Sequence, residues 1–448
     1  MNQSRREFLS QTGCGISAAA LLSSLQCFTQ VESFAAEASD YRALVCIFLF
    51  GGNDGNSTII PYTNYAAYNA VRGASSGINI PQASLLKISA PSQNADFGLH
   101  PSLTGLQTLY NQGKMAALCN VGTLVRPITR AQYQSNAPRP DNLFSHSDQQ
   151  TQWQASSTST SATAPTGWGG RTADQTTGLN GANNFPMIVS TAGVTLFSTG
   201  AQARPLVPGA NLAGFPNPPT SNQRYNSMRA LLNIDTSATL IGASSSIMNA
   251  AIDNTSKLNS AIAGVTLATT FPSTGLGNQL RQIAQIIKSR TSLGLKRQIF
   301  FASLGGFDTH SNQLTTQANL LTQVSQAMRA FYDATVELGV SSDVTTFTLS
   351  DFGRTFQPAA GAGSDHAWGN HQWIMGDGVR GGNFYGKFPT LQIQGPDDAS
   401  SEGRWIPTTS VDQYGATLAL WYGLTPSALS AVFPNIGNFT VSDLGFLQ

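Results

Sequence analysis

Residues 41–50 (YRALVCIFLF) form an almost unbroken run of apolar, β-branched and aromatic side chains, and the run stops dead at Gly51-Gly52-Asn53-Asp54-Gly55-Asn56. A strand with one wet face alternates apolar with polar residues. A run without alternation is covered on both faces, as in a parallel sheet flanked by helices. Residues 115–121 (MAALCNV) repeat the pattern and again stop at a glycine. Between the two, residues 101–113 carry Leu103, Leu106 and Leu109 at helical spacing and close at Gly113. The second half resumes this grammar, with a helix predicted over 280–289, a strand over 297–304, an amphipathic helix over 317–338 and a strand over 344–349. Alternation of this kind predicts an α/β fold, a doubly wound and mostly parallel sheet. In such sheets, sites form where loops converge beyond the carboxyl ends of the strands.

Residues 155–164 (ASSTSTSATA) have no periodicity, and residues 185–275 are rich in Gly, Pro, Asn and Thr. The region from about 155 to 275 reads as an inserted cap within one large domain, residues 39–448. Only 10% of residues are charged and the net charge is +1, so nothing argues for a nucleic-acid partner. At the N-terminus, Ser4-Arg5-Arg6-Glu7-Phe8-Leu9 is a twin-arginine string. A weakly apolar stretch too short to span a bilayer follows, then the small-x-small site Ala36-Glu37-Ala38. Residues 1–38 are therefore expected to be a signal peptide read by the twin-arginine translocase. The remaining chain is expected to be periplasmic or secreted, with no transmembrane span. Cys46 and Cys119 lie in strand-like runs and read as buried thiols, with a cross-strand disulfide as the alternative.

The chain has five histidines. Four stand in short polar strings with aspartate: Ser145-His146-Ser147-Asp148, Asp308-Thr309-His310, and Asp365-His366 with His371 five residues on. Asp54 and Asp351 each follow an apolar strand directly. Carboxylate oxygens mixed with imidazole nitrogens, without thiolates, suit zinc, manganese or a similar divalent ion. The expected metal set is Asp54, Asp308, His310, Asp351, Asp365, His366 and His371. Each has a structural alternative: an Asx turn at Asp54, a helix cap at Asp351, turn chemistry at Asp308-Thr309-His310, core packing at His371. Ser145 and His146 sit at a helix entry, where free N–H groups favour an anion, so both are candidate catalytic residues, Ser145 as the nucleophile or else only an N-cap. His100 reads as part of another helix entry. Arg354 is a candidate oxyanion clamp or a structural ion-pair partner.

These strings carry a resemblance. Phe50-Gly51-Gly52-Asn53-Asp54-Gly55, Leu99-His100-Pro101, Ser145-His146, Gly167-Trp168-Gly169-Gly170-Arg171, Gly306-Phe307-Asp308-Thr309-His310, Ser350-Asp351-Phe352-Gly353-Arg354-Thr355, Asp365-His366, Gly381-Gly382 and Val411-Asp412-Gln413-Tyr414 span almost the whole chain beyond the signal. They resemble the exported family known as domain of unknown function 1501, which looks like a branch of the alkaline phosphatase/sulfatase-like superfamily. The resemblance implies one or two metals, commonly zinc, with calcium also in range. It places ligands at Asp54, at Asp308 and His310, at Asp351, and at His366 or His371. It further implies an anionic ester substrate, phosphate or sulfate, and a co-exported protein as a partner. Two departures stand out: Phe352 follows Asp351 where the superfamily commonly has histidine, and no nucleophile motif follows the second strand. An exported protein that binds surface polysaccharide or a partner without catalysis, keeping a structural or vestigial metal, is the alternative.

Overall fold

The computed structural model describes residues 40–74, 77–159, 166–209, 223–237 and 239–448; the expected signal peptide lies outside the described residues. Among these residues eleven strands run in chain order: β1 (Arg42–Leu49), β2 (Ile59–Pro61), β3 (Leu86–Ala90), β4 (Ala95–Leu99), β5 (Met115–Gly122), β6 (Ile188–Ser190), β7 (Arg297–Leu304), β8 (Val344–Ser350), β9 (Asn370–Met375), β10 (Phe384–Tyr385) and β11 (Thr409–Ser410). The main sheet has the order β10-β5-β9-β8-β1-β7-β6, with β11 also paired to β5. All its pairings are parallel except those of β9, which runs antiparallel between β5 and β8. The doubly wound, mostly parallel α/β sheet is as expected.

The unalternating run explains itself in β1. Leu44, Cys46 and Phe48 enter the core shared with Trp168, Tyr414 and Leu418, from the helices Trp168–Thr176 and Val411–Tyr422. Ala43, Val45 and Ile47 point the other way, because successive side chains alternate across a strand, and they too are buried. The helix Gly275–Lys288 packs on β7 and on the long helix Gln313–Glu337. Cys46 and Cys119 are both buried free thiols, so the disulfide alternative does not form. Among the described residues no helix is long and apolar enough to cross a membrane.

The region expected as an insert divides. Its first described part belongs to the body: Trp168 is fully buried and β6 extends the main sheet along β7. Its second part holds the helices Gln223–Leu231 and Thr239–Ile262, the latter with only Ser245, Ile252 and Leu258 buried. A second sheet, β2-β4-β3, is antiparallel and was not foreseen, its strands being too short for a period to show.

Two strand ends are in register with the end of β1: Leu49 lies beside Leu304 of β7 and Ser350 of β8. Three loops therefore leave the sheet at one edge. Gly51 and Gly52 let them close together, with φ of +113° and +80°. A Cβ on Gly51 would stand 2.4 Å from the Asp308 nitrogen, and one on Gly52 would stand 2.5 Å from the Phe352 ring. Because β9 is antiparallel, the chain carrying Asp365 and His366 enters the sheet at this same edge.

Candidate metal centre

Asp308, His310, Asp351, His366 and His146 come together beyond the carboxyl edge. Asp308 follows β7, Asp351 follows β8, His366 precedes β9, and His146 opens the helix His146–Ala155. The Nε2 atoms of His146, His310 and His366 lie 3.4, 3.0 and 3.3 Å from Asp308 Oδ1, and His310 Nε2 lies 3.0 Å from His366 Nε2. Ligand atoms of His146, Asp308 and His366 all fall within 4.8 Å of one another.

The opposite ring nitrogens are each held. His146 Nδ1 lies 2.6 Å from Asp351 Oδ2, His310 Nδ1 2.9 Å from Asp365 Oδ1, and His366 Nδ1 2.7 Å from the Phe144 carbonyl. Asp351 is itself buried and fixed: the Gly51 N–H donates to its Oδ1 (3.2 Å) and the Gln150 amide to its Oδ2 (2.8 Å). No helix begins at Phe352, so Asp351 is not a helix cap. Asp308, by contrast, keeps 46% of its side chain exposed and His310 45%, so the cluster opens to solvent on the Asp308 side.

Burial alone would raise the Asp308 carboxyl. The Arg354 guanidinium bonded to it, with His146 and His310 nearby, outweighs that and holds it down at about 2. Partial burial and the Arg354 charge, joined by His146 only when that ring is protonated, lower His366 against the opposing pull of the Phe144 carbonyl and Asp308. Both residues therefore stand ready as unprotonated donors at neutral pH.

A divalent ion suits these atoms. His146 Nε2 is buried without a hydrogen-bond partner, an arrangement that costs stability unless something fills the gap. An ion bound at the usual 2.0–2.1 Å by tetrahedrally disposed ligands keeps its donor atoms about 3.3–3.4 Å apart. The contacts to Asp308 Oδ1 span 3.0–3.4 Å.

Four expected residues do not face the cluster as donors. Asp54 is fully buried and turned to Arg72, with Nη1 2.5 Å from Oδ2 and Nη2 3.0 Å from Oδ1. It also accepts from the Asn56 N–H, the Ser57 hydroxyl and the Gln313 amide, so its lone pairs are spent on the fold. Burial would raise this carboxyl, but Arg72, Ser57 and Gln313 overcome that and lower it. His371, inside β9, accepts the Asn120 N–H at Nδ1 (3.1 Å) and stacks on Phe388. Arg354 is buried, and all its nitrogens are engaged: Nε donates to the Gly52 carbonyl, Nη1 to Ser364, Nη2 to Gly51, Phe307 and Asp308. It ties the three loops together and leaves no fork for a substrate oxyanion. Ser145 occupies the N-cap position but its hydroxyl pairs with Ser147 at 3.1 Å and caps nothing. Arg72, Gln150 and Gln313, which sequence reasoning missed, fix Asp54 and Asp351.

His100 is buried as well, accepting the Ser102 N–H at Nδ1 (3.1 Å). Burial pushes both His100 and His371 down to about 4, slightly opposed by Asp54. The folded chain then binds fewer protons than the unfolded chain, whose histidines titrate near 6.5. The resulting stability is complete above pH 6.5 and is lost as pH falls toward 4, on the order of 3 kcal/mol per histidine. Burial raises Asp412 to about 6, and that group works the opposite way over the same window. Urea unfolding with chelator present should show a net loss of stability from pH 6.5 to 4, steeper in Asp412→Asn. A flat profile would contradict the buried, neutral histidines.

The fold and site together define an α/β protein with a histidine–aspartate cluster, fit for a metal, at the carboxyl edge of a mostly parallel sheet. The chain belongs to the family described as "Protein of unknown function (DUF1501)", whose match covers residues 41–401. Among solved structures it is similar to the lipoteichoic acid synthase LtaP from Listeria monocytogenes, at 8% identity over 87% of this chain and 73% of that one, TM-score 0.34. It is similar also to the PsFucS1 sulfatase from Pseudoalteromonas sp., at 9% identity over 89% of this chain and 71% of that one, TM-score 0.36. A third is Ps i-CgsB, at 9% identity over 88% and 77%, TM-score 0.36. No curated protein matches the sequence.

Proposed function

We propose that this chain is an exported metal-dependent hydrolase of phosphate or sulfate esters. The observation that carries the reading is the convergence of three imidazole Nε2 atoms on Asp308 Oδ1, each ring held from behind, at an edge open to solvent. His146, Asp308 and His366 would hold a divalent ion, with His310 beside them. When bound, such an ion polarises an ester oxygen and makes a neighbouring water a competent nucleophile near neutral pH. The residues themselves do the positioning. Asp351 keeps the His146 proton on Nδ1, the Phe144 carbonyl does the same for His366, and Arg354 anchors Asp308. The substrate class follows from the family resemblance read in the sequence, and the twin-arginine string supports export.

With Ser145 paired to Ser147 rather than to the cluster, the attacking group is assigned to water. Ser145→Ala should therefore keep turnover within a few-fold of wild type; abolished turnover with the metal retained would make Ser145 the nucleophile. A panel of nitrophenyl phosphates and sulfates, assayed with added zinc or manganese and again with chelator, tests the function. Turnover that needs metal supports it, and its absence across the panel from metal-loaded protein overturns it.

One observation favours a second reading. Arg354 has no nitrogen left for a substrate, as in a binding protein that keeps its metal for structure. That reading predicts a loaded, inert protein that retains polysaccharide or a protein partner.

A further inference from the structure

The rings at this edge differ from a chance cluster in what their rear nitrogens do. The Phe144 carbonyl can only accept, so His366 Nδ1 is the donor and the lone pair of the neutral ring lies on Nε2. Asp351 and Asp365, as carboxylates, fix the same tautomer in His146 and His310. Three Nε2 lone pairs and Asp308 Oδ1 thus crowd one space, and among the described residues only the Arg354 guanidinium reaches them as a donor, bonded to Asp308 and 3.5 Å from His310 Nε2. Acceptors packed in this way repel one another unless a cation lies among them. The charges agree: Asp308, Asp351 and Asp365 against Arg354 leave two negative charges over, matching a divalent ion.

We propose that this is a site for one divalent cation with Nε2 of His146, His310 and His366 and Oδ1 of Asp308 as its ligands, and that Asp351 and Asp365 are positioning residues that orient His146 and His310 without touching the ion. The Phe144 carbonyl plays the same part for His366. Asp351 and Asp365 thereby leave the ligand set expected from the sequence, each standing behind a histidine ring. This inference rests on the metal-dependent reading above, and it narrows that reading to one ion and one set of donors.

Rear acceptors of metal-bound histidines typically contribute roughly 10–100-fold to affinity. The test is titration of the full chain, stripped with chelator, with Zn2+ by calorimetry and with Co2+ by visible absorption. Wild type should take one equivalent. Asp308→Ala should take none, while Asp351→Asn and Asp365→Asn should each keep one equivalent, bound roughly 10–100-fold more weakly, with the cobalt spectrum retained. Asp365 is half exposed, so its variant folds even if Asp351→Asn does not, and it carries the test alone in that case. Two equivalents in wild type, or binding abolished in Asp351→Asn or Asp365→Asn as in Asp308→Ala, would overturn the ligand set while leaving metal dependence intact. A folded wild type that takes no ion would overturn both.

Discussion

Arg72→Met is expected to destabilise the folded chain by about 3–5 kcal/mol, because it leaves the Asp54 carboxylate buried with its main counter-charge gone. Both side chains are wholly inaccessible to solvent and meet through two contacts of 2.5 and 3.0 Å. Arg72 also donates to the Ser57 hydroxyl and the Thr355 carbonyl, so its loss loosens the segments after both β1 and β8. The remaining donors to Asp54, the Asn56 N–H, Ser57 and Gln313, soften the cost without replacing a charge. Urea denaturation of the two proteins at neutral pH measures it. A cost below about 1 kcal/mol, the range of exposed ion pairs, would contradict the buried pairing. The same experiment separates the two roles considered for Asp54. A structural Asp54 predicts that whatever fraction of Arg72→Met folds still binds metal with wild-type stoichiometry; a ligand Asp54 predicts altered metal binding.

The second large effect falls on function. Asp308→Ala should lower kcat/KM at least about 1000-fold, which corresponds to the several kcal/mol of charge stabilisation that a metal contributes in hydrolysis. Asp308 is the one atom group that all three imidazoles and Arg354 share. The fold should survive the change, since Arg354 keeps the carbonyls of Gly51, Gly52, Phe307 and Ser364 and the Asp308 side chain is half exposed. Circular dichroism on the same preparation checks that point. Turnover within tenfold of wild type, in protein shown to fold, would contradict a role for the cluster in catalysis.

Much of this was legible in the sequence because the main strands are buried on both faces. β7 begins and ends where its apolar run does, and β1, β5 and β8 differ from theirs by a residue or so at either end. The polar strings at their ends gave Asp308, His310, Asp351, Asp365 and His366 directly. Direction within the site was not legible. His371 stands five residues after His366, but it lies inside β9, where alternation turns it toward Asn120 and Phe388. Asp54 follows its strand just as Asp308 follows β7; only the arrival of Arg72 from the helix Tyr65–Arg72 makes it structural. That pairing is a tertiary choice with no local pattern behind it. The same holds for the second nitrogen of each histidine, which sets what the first can do. Phe144, whose carbonyl holds His366, carries no sequence signal for that role, because any residue supplies a carbonyl.

The central claim, a divalent ion held by the histidine–aspartate cluster, is tested most directly by elemental analysis of the full chain purified without chelator, beside Asp308→Ala and His366→Ala. The structure predicts close to one equivalent of metal in wild type and none above background in either variant, with all three proteins folded. A folded wild type without metal, even after zinc and manganese are offered, or variants that keep their metal, would contradict it.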